Sequence, residues 1–239
     1  MATIRITMLG SFAVSVDGRS VADGAWTRRH AAGLVKALAL APDHRLHREQ
    51  LLDRLWPDDR VDEAGPKLHK AAHYARRALA LPGAVVLRDG HVLLAPHHAV
   101  AVDVAEFEEL AQVALAGPDL EAARRALALY AGELLPQDRY DEWVEERRDQ
   151  LRRRHLDLLR LDGRWDEVLE QDPSDEAAHL AVTRRHAANG DRHAALRQFE
   201  RLDRQPPPWP AATFTPAPAP VPSPAPGRAT TSSSAGSWS

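Results

Sequence analysis

Cysteine is missing from all 239 residues of the chain, which removes disulfides, thiolate-held zinc and cysteine nucleophiles together. Lysine is almost missing: Lys36, Lys67 and Lys70 are the only three, so positive charge rests on arginine. No stretch approaches the roughly 18 apolar residues that a membrane-spanning helix needs. The N-terminus, Met1-Ala2-Thr3-Ile4-Arg5, has no basic segment leading into an apolar one, so no secretory signal is expected and the protein is placed in the cytoplasm. Catalytic signatures are missing too. There is no Gly-x-Ser-x-Gly, no glycine-rich phosphate loop with Lys-Ser/Thr and no HExxH. His69 and His73 stand four apart, but nothing in the sequence places a third metal ligand. An enzyme, a cofactor and a metal site are therefore not expected.

What is present is an uneven charge. The net charge of −3 conceals a front of residues 1–100 with 14 basic against 10 acidic side chains and a remainder with 17 against 24. Eight of the 12 histidines also fall in the front. A mildly basic, His-rich front and an acidic back point to two domains with different partners.

The densest signal is the run Lys67-Leu68-His69-Lys70-Ala71-Ala72-His73-Tyr74-Ala75-Arg76-Arg77-Ala78-Leu79. At helical period Leu68, Ala72, Ala75 and Leu79 form a narrow apolar stripe. Lys70, His73, Tyr74 and Arg77 stand opposite, flanked by Lys67, His69 and Arg76, and no acid interrupts them. Surface helices ordinarily mix signs to form i,i+4 pairs, so a purely cationic and aromatic face suits a polyanion. The helix is expected from about Asp62 to Leu81, its regular part starting near Gly65 because Pro66 fits only the first turn. Before it, short strands are expected at Ile4–Leu9, Phe12–Val16 and Ser20-Val21, a helix from Arg28 to Leu40 capped by Thr27, and another over Arg48–Trp56.

After it, Ala84–Arg88 and His91–Ala95 are two β-prone runs joined by Asp89-Gly90, a strong two-residue hairpin signal. Helices followed by a hairpin form a winged helix-turn-helix, whose last helix enters the major groove of duplex DNA while the wing reaches the backbone. Lys67, Lys70, His73, Tyr74 and Arg77 on the helix and Arg88 and His91 on the wing are the candidate DNA-binding residues.

Four separated segments carry a family resemblance: Leu9-Gly10-Ser11-Phe12, Arg29–Leu40, Leu46–Trp56 and His73–Leu79. They resemble the actinobacterial SARP/AfsR-type regulators over roughly residues 1–203. The resemblance implies an OmpR-type winged helix followed by an all-helical bacterial transcriptional activator domain. It further implies promoter sites arranged as direct repeats, contact with RNA polymerase and a homodimer on DNA. The family often has Asn-Leu-Arg where this chain has Lys67-Leu68-His69, which predicts a different base preference.

The expected fold is mainly α with small β-sheets. A winged-helix DNA-binding domain occupies 1–100, a helical, tetratricopeptide-like domain 101–204, and a disordered Pro/Ala/Ser-rich tail 205–239. In the back half, helices are expected after Asp103, over Leu120–Tyr130, over Glu142–Leu161 and in three shorter segments beyond. Arg147, Arg148 and Arg152–Arg154 are interleaved with acids and read as a solvated face. The competing reading is a tetratricopeptide-like interaction scaffold, or a truncated remnant of a larger regulator, without DNA binding of its own.

Overall fold

Alternation builds the first strand, which turns Ile4 and Ile6 inward, fully buried, and leaves Thr3 and Arg5 outside. In the computed structural model, residues 1–203 are described; the expected tail, 205–239, lies outside them. In chain order the elements are β1 (Thr3–Thr7), β2 (Ala13–Val16), β3 (Arg19–Ser20), α1 (Arg29–Ala39), β4 (Arg45–His47), α2 (Arg48–Leu55), α3 (Val61–Ala78), β5 (Val85–Arg88), β6 (His91–Leu94) and β7 (Ala99–Val102). Then follow α4 (Asp103–Ala116), α5 (Leu120–Leu129), α6 (Glu142–Leu161), α7 (Trp165–Gln171), α8 (Glu176–Ala188) and α9 (Arg192–Asp203). The fold is mainly helical with two small sheets.

One sheet has the order β3-β2-β1-β7, with β1 antiparallel to β2 and parallel to β7. The other has the order β4-β6-β5. Neither β4 nor β7 is expected from the sequence. Both are short, and each forms only because a partner from elsewhere in the chain offers an open edge. The junction expected at residues 100–101 falls inside β7. At the start of α1, Arg28 is the capping residue and no side chain, Thr27 included, closes the first turn. α3 starts at Val61, so Pro66 sits inside the helix rather than at its opening. The helix tolerates the lost backbone bond because Ala64 and Leu68 on either side are buried.

One of the contacts between the two halves is made by a buried acid. Asp103, 8% exposed at the first position of α4, accepts hydrogen bonds from the backbone N–H groups of Met8 at 2.8 Å, Leu9 at 2.9 Å and Val104 at 2.8 Å. Burial pushes its carboxyl above the usual range, against the opposing pull of the Leu9, Met8 and Val104 amides. The chain after Met8 then crosses the segment before α6. Leu135 N–H donates to the Met8 carbonyl at 2.9 Å and Gly10 N–H to the Glu133 carbonyl at 2.9 Å. Gly10 has φ +88°, and a Cβ there would come within 3.1 Å of the Ala131 carbonyl carbon. Only glycine fits both constraints. Nearby, Lys36 of α1 is buried against Asp138, with 2.5 Å between Nζ and Oδ2, and its ammonium lies 4.6 Å from the centre of the Phe12 ring.

The helical half is an array in which each helix from α4 to α9 packs on the next. Its helix starts are set by aspartates: Asp119 accepts from the Glu121 and Ala122 amides, and Asp175 from that of Ala178. Burial works against the Asp175 charge, but the Ala178 amide and the Arg160 guanidinium outweigh it and hold the carboxyl below its ordinary range. The arginines of α6 brace the structure rather than only facing solvent. Arg147 and Arg154 both grip Glu108, and Arg148 donates to the Leu134 carbonyl.

Removing the Asp103 carboxylate strands three buried amides. Asp103→Ala is expected to lower the unfolding free energy by roughly 2–4 kcal/mol, measured by urea denaturation of the whole chain.

Candidate nucleic-acid interface

The buried side of α3 is Ala64, Leu68, Ala71, Ala72 and Ala75, seated on α1, α2 and β5. The small alanines let α3 lie close against its neighbours and leave the long cationic side chains to the other side. That outer side divides into three ridges at helical spacing.

The central ridge carries Lys70 and Arg77. Both are exposed, and neither forms an ion pair among the described residues. On one flank Lys67 is paired with Asp59 of the α2–α3 turn, and Tyr74 is half-buried under the Arg28 guanidinium, 5.5 Å from its ring centre. On the other flank stand His69 and His73, both exposed, and Arg76. Arg76 Nε donates to the Val85 carbonyl at 2.8 Å, tying α3 to the hairpin. The structure thus brings Lys67, Lys70, His73, Tyr74 and Arg77 onto one side of one helix, but their settings differ. Lys67 and Tyr74 have protein partners from other segments, while Lys70 and Arg77 face outward uncommitted.

Arg88 and His91 lie on a separate element. β5 and β6 are joined by Asp89 at φ 50° and Gly90 at φ 73°, the two positive values that a type I′ turn requires. Arg88 is directly opposite His91, and its Nε lies 3.0 Å from the Asp89 carboxylate, with both side chains exposed. β4 adds a third strand, placing His47 opposite His91 with ring centres 5.2 Å apart. His47 also caps α2: its Nδ1 accepts from Glu49 N–H at 3.4 Å, while Gln50 reaches back to the His47 amide at 3.1 Å. Arg48 N–H donates to the Gly90 carbonyl at 2.8 Å, so the start of α2 is locked to the turn of the wing.

Three further basic residues, Arg28, His30 and Arg48, lie beside this surface. Arg28 and His30 line a groove of about 430 Å³ beside α3, together with Trp56, Asp59, Lys67 and Lys70. His30 stacks on Trp56 with ring centres 4.8 Å apart. Burial first, then Arg29 and Lys67, push the His30 imidazole below its ordinary range. Arg48 lays its guanidinium against Gly65 of α3, where a Cβ would collide with it. The adjacent Arg28, Arg29 and His30 are a sequence signal that could have found two of them. The approach of Arg48 to Gly65 has no such signal, since it depends on how α2 crosses α3.

Neither a family model nor a curated protein sequence matches the chain. Among solved structures its backbone is similar to Mycobacterium tuberculosis EmbR in complex with a low-affinity phosphopeptide, with a TM-score of 0.62 and 14% identity. The match covers 84% of this chain and 59% of the EmbR chain. The two share a fold.

Two changes test how α3 is held. Arg76→Ala is expected to cost about 1–2 kcal/mol and to speed amide exchange in β5 and β6, read by mass spectrometry. At the other end, α3 closes with Leu81 N–H on the Arg76 carbonyl and Ala80 N–H on that of Arg77, around Ala80 at φ 49°. Ala80→Gly removes the strain of a left-handed alanine and is expected to stabilise the fold by roughly 1 kcal/mol in the same denaturation assay.

Proposed function

We propose that the chain is a sequence-specific DNA-binding transcriptional regulator that acts as an activator, with α3 in the major groove and the β5–β6 wing on the backbone. The observation that carries this reading is the central ridge of α3. Lys70 and Arg77 are exposed, cationic and without a carboxylate partner among the described residues, opposite an apolar stripe that fixes the helix to its core. Side chains held this way offer donors to the O6 and N7 acceptors of guanine. The EmbR-like arrangement of a winged helix followed by helices supports the reading, as do the motifs that resemble SARP/AfsR-type regulators. Its partners are then promoter DNA carrying direct repeats, RNA polymerase and a second copy of the chain on the adjacent repeat. The winged part corresponds to residues 1–100 and the regulatory, self-associating part to 101–204. No catalysis and no cofactor belong to this reading.

The two kinds of contact have separable signatures. On a duplex selected from a random pool by the full chain, Lys70→Ala or Arg77→Ala should cost about 1–3 kcal/mol and relax base preference. Arg88→Ala should weaken all sequences alike and lower the salt slope of log affinity by about one. Fluorescence anisotropy with scrambled competitor separates the two effects. A Lys70 and Arg77 double alanine variant that keeps full discrimination contradicts the assignment of α3, and no DNA binding at low salt favours the scaffold reading.

A further inference from the structure

The wing contains a histidine whose proton is already committed. His91 Nδ1 lies 2.9 Å from the Asp89 carbonyl oxygen. A carbonyl can only accept, so Nδ1 carries the hydrogen and donates it. In the neutral ring, Nε2 is then a lone pair. It meets no hydrogen-bond partner among the described residues and is not among the buried unpaired atoms, so it is open to solvent. A DNA phosphate also only accepts. A neutral His91 would therefore present a lone pair to a phosphate oxygen, and only the doubly protonated ring can offer it an N–H.

We infer that His91 is a phosphate ligand of the wing that acts as an imidazolium, so that DNA binding takes up a proton and tightens as pH falls. This rests on the reading of the wing as a DNA-backbone contact. The groups around the ring fit the role. Arg88, directly across β5–β6, stands beside it with an exposed guanidinium, and its Asp89 partner is exposed as well. An exposed ion pair of this kind contributes little and yields readily to a phosphate. From β4, the His47 ring meets His91 edge-on. His47 Nδ1 accepts the Glu49 amide and lies 3.9 Å from the Glu49 carboxylate, so His47 is occupied in capping α2. From the start of α2, Arg48 enters only through its backbone N–H on the Gly90 carbonyl. Asp89 thus contributes a carbonyl that orients the ring, while Arg88 and His91 supply N–H donors to the oxygens of one phosphate. The proton linkage follows from thermodynamics: a group protonated in the complex and less so in the free protein makes affinity rise with proton activity.

The test uses the full chain and its selected duplex at constant ionic strength. From pH 8 to pH 6 the wild type should bind about three- to tenfold more tightly. Titration calorimetry in buffers of different ionisation enthalpy should register proton uptake. His91→Gln should still bind, with most of that pH dependence gone. His91→Arg, permanently charged, should bind with the acid-limit affinity at both pH values. His193→Gln, an exposed change on α9, should keep the wild-type slope. A His91→Gln variant with the wild-type slope overturns the inference while leaving DNA binding intact. So does a wild type that binds equally at both pH values. A chain that binds no DNA at either pH overturns the reading beneath it as well.

Discussion

The fold turns on a buried carboxylate that satisfies backbone rather than a basic side chain. Asp103 sits where β7 becomes α4 and gathers the amides of Met8, Leu9 and Val104. An edge strand and the first helix of the back half are thereby fixed to the first strand of the chain. Once Met8 and Leu9 are held, the chain must cross the segment before α6, and that crossing is possible only with Gly10 at positive φ. Lys36 and Asp138 close the same seam from α1. A buried pair of this kind adds little net stability but is costly to break. α1, which packs beneath α3, is tied to this seam through Lys36.

Much of this was legible in residues close in sequence. The Asp89-Gly90 hairpin appears where expected, because a type I′ turn demands residues that accept positive φ. The bounds of α6 follow equally from local chemistry, as does the apolar stripe of α3, which is buried from Leu68 through Leu79. The missed strands share one cause. β4 and β7 carry no strong local pattern and exist because β6 and β1 offer them edges. Thr27 had the right chemistry for a cap, but α1 begins at Arg29 and leaves it one residue too far away.

The candidate site divides the same way. Helical period alone placed Lys70, His73 and Arg77 on the outer side of α3. It could not tell that Tyr74 would sit beneath Arg28, or that Lys67 would reach back to Asp59, since both partners come from other segments. Nor could it assign Arg76, which is spent on the Val85 carbonyl and holds helix and wing together. A uniform cationic run in the sequence thus becomes, in the fold, a central ridge without ion pairs among the described residues, one flank that anchors and one flank that packs. The arginines of α6 make the complementary point: a basic run can be consumed by carbonyls and carboxylates of its own chain.

The scarcity of lysine supplies a direct test of the central claim, that the exposed ridge of α3 lies in the DNA groove. Lys36 is buried, whereas Lys67 and Lys70 lie on α3 and Lys70 is uncommitted. Reductive methylation of the full chain, read by mass spectrometry with and without saturating duplex, compares all three at once. The account predicts that Lys70 labels readily in the free protein and is protected by DNA, while Lys36 stays unreactive in both. Equal labelling of Lys70 with and without bound DNA would contradict it.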